Sequence, residues 1–137
     1  MTQQPQDWRT LPPGRELDSV LAERLGWRVE YSKAFGSWLW VLRDHEGNTI
    51  QFSNAESGAW DGIPRWSTDD GAAVGLLREQ CDRFRVDSLG LFEGLPCYVV
   101  IARKGGLADG YYFSGEADAS TFAHAAVLAV LNLLDHQ

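Results

Sequence analysis

Pro64-Arg65-Trp66-Ser67-Thr68-Asp69-Asp70 is the stretch on which the fold of this chain turns. Ser67 offers a side-chain oxygen to the free N–H groups of a first helical turn, and Asp69 and Asp70 place negative charge at the positive end of the helix dipole. The stretch therefore predicts a helix capped by Ser67. Downstream, Ala73, Leu76, Leu77, Cys81 and Phe84 recur at three- and four-residue spacing, which carries the predicted helix to about Phe84 with Arg78, Glu79 and Asp82 facing water.

Immediately upstream lies a connection from Asn54 to Arg65 that holds Gly58, Trp60, Gly62 and Pro64. Its length approaches the point at which a structureless loop is unusual and often functional. Before it, Ser37-Trp38-Leu39-Trp40-Val41-Leu42-Arg43 and Thr49-Ile50-Gln51-Phe52 flank the turn residues 44–48, which predicts a β-hairpin. Trp38 and Trp40 share one face, because strand side chains repeat every two residues. Trp27-Arg28-Val29-Glu30-Tyr31 alternates as a half-exposed strand. A first helix follows Pro12-Pro13-Gly14, with Leu17, Val20, Leu21 and Leu25 as its stripe and Gly26 at its exit. Residues 1–11 are polar and read as a flexible tail, leaving 12–137 as a single domain.

Beyond the second helix, Arg85–Leu89 reads as an edge strand broken by Gly90 and Gly94, and 96–102 as a strand rich in aromatic and β-branched residues. Gly105-Gly106 marks a turn, residues 110–114 a further strand, and Asp118 or Ser120 the cap of a last helix to about Leu134. That helix is apolar around most of its circumference, which predicts burial between layers or against another subunit.

The size suits one domain able to bury roughly two thirds of its unfolded surface. Hydrophobic residues at 45% and charged residues at 23% are ordinary for a globular domain. A net charge of −7 argues against nonspecific binding to nucleic acid or anionic membrane; it suits a nucleic-acid mimic and is equally a solubility feature. Cys81 and Cys97 sit in apolar patterns and read as buried thiols. No secretion signal or membrane span is visible, so the cytoplasm is expected.

Three segments resemble the phage ABA sandwich domain family: residues 14–23 with Gly26-Trp27, Pro64–Asp69 with the helix after it, and Ala117-Asp118-Ala119-Ser120 with the alanine-rich helix from Ala123 to Val130. They occur in the family's order and span residues 14–134. The resemblance implies an α+β fold of the α/β/α sandwich type, with three helices packed on a mainly antiparallel sheet of about four or more strands. It also implies a phage or prophage source, and it transfers no catalytic set. Trp66 stands where a tyrosine is usual in the family.

His45, His124 and His136 show no ligand spacing, so no metal is expected, and no phosphate-cradling glycine loop joins a strand to a helix, so no cofactor is expected. The carboxylates Asp69 with Asp70 and Glu116 with Asp118 have the spacing of acid/base pairs, and helix capping accounts for them with less. The tryptophans carry the sharper signal: all six lie between residues 8 and 66, and the basic residues are ten Arg against two Lys. Arginine gives planar contacts to phosphate and stacks on aromatic faces. Trp38, Trp40, Arg43, Trp60, Arg65 and Trp66 are therefore the candidate ligand-binding set for a planar base and its phosphates, against the alternative that Trp38 and Trp40 are core.

Three functional classes follow. The first is a phage accessory protein that counters host immunity by sequestering a nucleotide-like signal without catalysis; Asp69 and Asp70 would repel phosphate at their helix start, which moves that job to arginines elsewhere. The second is a homo-oligomeric interaction protein that binds and inhibits a host protein. The third, ranked last, is a hydrolase of the same nucleotides.

Overall fold

The computed structural model describes residues 7–92, 95–105 and 113–135. The expected tail over 1–6, Gly94, Gly106, the strand positions 110–112 and His136 lie outside the described residues. Over the described residues the protein is α+β, with two three-stranded antiparallel sheets and four α-helices. The single sheet of four or more strands with three helices, expected above, is not what the described residues form. The chain divides into two compact units, Met1–Asp18 with Arg65–Gln137, and Ser19–Pro64.

In the first unit, Trp8–Thr10 form one 3-10 turn, capped by the Asp7 side chain on Arg9 N. Trp8 and Leu11 are buried, and Asp7, Arg9 and Thr10 are exposed. Arg9 stacks over the Trp8 ring at 4.3 Å and pairs with Asp135 at 3.6 Å. The His124 ring nitrogen Nε2 lies 3.2 Å from Leu11 O, and burial holds this imidazole below its ordinary pKa.

Helix α1 (Arg15–Arg24) crosses the boundary between the units, and α3 spans Asp70–Gln80. Asp69, not Ser67, caps α3, its carboxylate accepting from Ala72 N at 3.1 Å. Ser67 is fully buried and does something else: its hydroxyl accepts from Gly14 N at 2.8 Å and donates to Gly14 O at 3.2 Å, while its own amide donates to Asp18 Oδ1 at 2.8 Å. The deciding stretch is thus a clasp on the start of α1, one turn ahead of the helix it precedes.

Helix α3 stops at Cys81, whose backbone is extended, and Phe84 belongs to the next strand with 39% exposure. The buried stripe is Ala73, Leu76 and Leu77, with the buried Cys81 thiol donating to Leu77 O. Strands β4 (Arg83–Phe92), β5 (Leu95–Lys104) and β6 (Phe113–Ala119) form a meander in the order β4-β5-β6. Helix α4 (Phe122–Asp135) packs on β5, β6 and α3. Thr121, not Asp118 or Ser120, offers the side-chain oxygen at its start, 3.3 Å from His124 N. Nine of its residues are buried, which places its broad apolar surface inside the first unit. At about 1.5–3 kcal/mol for each large aliphatic side chain buried, α4 contributes more to the core than its length suggests.

In the second unit, β1 (Arg28–Ala34), β2 (Ser37–Arg43) and β3 (Thr49–Ser53) form another meander, and α2 (Glu56–Trp60) follows within the connection expected to be a loop. Helix α2 lies close on β3. A Cβ at Gly58 would overlap the Ser53 hydroxyl, and one at Gly62 would come within 2.9 Å of Gln51 Cβ. Gln51 Nε2 donates to Gly58 O at 2.5 Å, which holds the short helix down.

Candidate functional site

The turn Phe35-Gly36 joins β1 to β2, and both residues have positive φ, at +53° and +78°. Two such residues make the tight hairpin whose twist matches the strands it joins. The register that results sets Tyr31 opposite Trp40 and Lys33 opposite Trp38. Directly paired residues put their side chains on one face, so Tyr31, Lys33, Trp38 and Trp40 share a face.

On that face Tyr31 stacks on Trp38, with centroids 5.6 Å apart and 24° between the planes, and is tilted against Trp40 at 5.0 Å and 47°. Tyr31 is 55% and Trp38 58% exposed. Trp40 is half-buried. Gln51 and Ser53, opposite Leu42 and Trp40, are on the same face, and α2 covers them there. What remains open is a ledge of two stacked rings along the β1 side, with the ammonium-bearing Lys33 beside it.

The structure sorts the six sequence-predicted residues into different places. Trp38 and Trp40 come together as expected from their spacing. Trp60 ends α2, half-buried, in the same unit. Arg43 points to the opposite face of the sheet, where its Nε bonds Glu30 Oε2 at 3.0 Å and its Nη1 bonds Thr49 Oγ1 at 2.9 Å and Gly47 O at 3.3 Å. Arg28 pairs with the other oxygen of Glu30, and the hydrogen bonds from Arg28 and then Arg43 hold that carboxyl below its ordinary pKa. Arg43 is thus committed to holding the sheet together. Arg65 and Trp66 belong to the first unit; Arg65 is exposed, whereas Trp66 is 6% exposed and has no open ring face to offer a ligand.

Tyr31 and Lys33 were not singled out by sequence reasoning. The signal that finds them is the two-residue turn, which fixes what lies across from Trp38 and Trp40 once Phe35 is accepted in a left-handed conformation. Cys81 and Cys97 are both free thiols, and burial pushes the Cys81 thiol up. Among the described residues, no group of three His, Cys, Asp or Glu side chains is placed to hold a metal ion, and no helix is long and apolar enough to cross a membrane. Comparison with family models, with curated proteins and with solved structures finds no match to this chain.

Proposed function

We propose that this chain is a phage or prophage accessory protein that counters host immunity by binding and sequestering a nucleotide-like signal, with no chemistry performed on it. One observation carries the reading: Tyr31 and Trp38 are stacked on each other and yet more than half exposed, with Lys33 directly across from Trp38. Large aromatic rings left in water forgo the burial that ordinarily stabilises them. A planar base laid on the ledge recovers that burial, and stacking of a base on an aromatic side chain contributes about 1–3 kcal/mol. Lys33 then lies beside the phosphate. The binding set of this proposal is Tyr31, Lys33, Trp38 and Trp40.

Kinship with the phage ABA sandwich family and its sandwich-type layering belongs to the same proposal, as does action inside the host cytoplasm. Calorimetry with a panel of cyclic and ADP-ribose-derived nucleotides tests it. Saturable heat with at least one member, and recovery of that member unchanged by mass, is expected. Absence of heat and of any thermal shift across the panel overturns the binding reading, and a converted ligand overturns the non-catalytic one.

A second reading, a homo-oligomer that binds and inhibits a host protein, is favoured by Phe35. This residue is 86% exposed at the hairpin tip, in the left-handed conformation that bulky side chains avoid, and it meets Phe52 edge-on at 5.2 Å. Light scattering over a concentration series checks it. Association that Phe35→Gly abolishes supports this reading, and a monomer at every concentration counts against it.

A further inference from the structure

In the first unit, the residues at the starts of α3 and α4 lie beside Val86, Pro96 and Tyr98 of the β4-β5-β6 sheet, and the sheet face that α4 covers further along β5 is open there. Val100 and Ala102 of β5 are fully buried on that face, whereas Tyr98, two residues earlier, is half-buried, and Val86, which pairs with Val100, is 40% exposed. The result is a cleft of about 740 Å³. That is within the range of roughly 300–1,000 Å³ typical of small-molecule sites.

Its two walls differ in chemistry. The sheet side is apolar, formed by Val86, Pro96 and the Tyr98 ring. The helix side carries the polar groups, the hydroxyls of Thr68, Ser120 and Thr121 and the carboxylate of Asp70, beside the apolar Phe122 and Pro13. Among the described residues that line the cleft, Asp70 is the one charged group. Asp69 already caps α3, so Asp70 is left over at the helix start, with no hydrogen-bond or ion-pair partner among the described residues.

This combination selects against two ligand classes. A phosphate would meet a carboxylate and, among the described residues that line the cleft, no cation. A simple amine would satisfy Asp70 but would leave the hydroxyls of Thr68 and Ser120 in need of a polar partner once water is displaced. The geometry points to a neutral ring bearing a vicinal diol, a ribose or a hexose, with its apolar face on Tyr98 and Val86 and its two hydroxyls donating to the Asp70 carboxylate. Both oxygens of a carboxylate accept, which suits two adjacent O–H donors. The site is independent of the aromatic ledge, which belongs to the other compact unit.

Titration of the full chain, ¹⁵N-labelled and followed amide by amide, tests this with five probes: methyl ribofuranoside, methyl glucopyranoside, the 2-deoxyriboside, butylamine and inorganic phosphate. One of the two diols is expected to give saturable shifts at Thr68, Asp70, Tyr98 and Ser120 to Phe122, and which one responds identifies the ring. Loss of one hydroxyl in the deoxy probe, or Asp70→Asn in the protein, is expected to weaken that binding about tenfold or more, as befits hydrogen bonds to a charged acceptor. The inference is overturned if neither diol saturates, if butylamine or phosphate binds more tightly, if the deoxy probe binds as well as its parent, or if the shifts fall on Tyr31, Trp38 and Trp40 instead.

Discussion

Gly115→Ala is expected to cost about 3 kcal/mol or more of folding stability. Gly115 lies in β6 where α4 crosses it, and a Cβ there would overlap Ala129 O and Leu133 N and come within 2.9 Å of Leu133 Cα. All three are backbone atoms of a helix buried on most of its circumference, so no side chain can swing aside. The helix would have to lift from the sheet, opening contacts along its whole length. Gly75 is the matched control. It sits in α3, exposed, with nothing within 4 Å of an added Cβ. Gly75→Ala is expected to stabilise by about 0.5–1 kcal/mol, because alanine loses less backbone freedom in a helix. Urea denaturation of both variants checks the pair, and equal midpoints would show that β6 and α4 are not in close contact.

The second large effect belongs to Asp18. Its side chain is 2% exposed, and burial raises its pKa above the ordinary carboxylate value, against the hydrogen bonds from Ser67 that pull it down. The sign follows from linkage. In the unfolded chain an aspartate titrates near about 3.9. Because the folded value is higher, the stability this group contributes is full below the unfolded value and is lost as pH rises through the folded one. Asp18→Asn keeps an acceptor for Ser67 N without a charge to bury. It is expected to match the wild type in acid and to gain on it as pH rises from about 4 toward neutrality. Asp18→Ala instead leaves the buried Ser67 N–H unsatisfied, at a cost of about 1–3 kcal/mol. Denaturation of the three proteins at acid and neutral pH checks the order Asn, wild type, Ala at neutral pH. A wild type that is the most stable of the three at neutral pH would contradict it.

How much of this was legible in the sequence depends on the range of the signal. The β2–β3 hairpin, β5, α3 and α4 have periodic patterns several residues long, and each forms along its pattern, although α3 ends at Gln80 and not at Phe84 where its pattern ran. Helix α2 escaped because Glu56-Ser57-Gly58-Ala59-Trp60 is too short to show a period and contains a glycine; it is held by Gln51 and by the close approach of Gly58 to Ser53. Strand β6 escaped in part because Ser114-Gly115-Glu116-Ala117-Asp118-Ala119 has little strand propensity. Its ladder with β5 and the backbone contact with α4 decide it. Ser67 looks like a helix cap from its neighbours, and its partner Gly14 is far away along the chain, where no local pattern reaches.

The candidate site divides in the same way. The two-residue period that joins Trp38 to Trp40 also sends Arg43 to the other face, so that separation was readable from parity alone. Tyr31 and Lys33 required the register across the hairpin, which depends on Phe35 accepting a backbone conformation that its side chain disfavours. Trp66 is buried, and no periodic pattern in the sequence marks that.

The most direct test of the ledge is titration of the nucleotide found by the panel into wild-type protein and into the Tyr31→Ala, Trp38→Ala double variant. Both rings are more than half exposed, so the double variant is expected to keep its unfolding midpoint near that of the wild type. It should nonetheless bind at least about tenfold more weakly, as loss of a stacking surface contributing about 1–3 kcal/mol for a base implies. Undiminished affinity in the folded double variant would contradict the account.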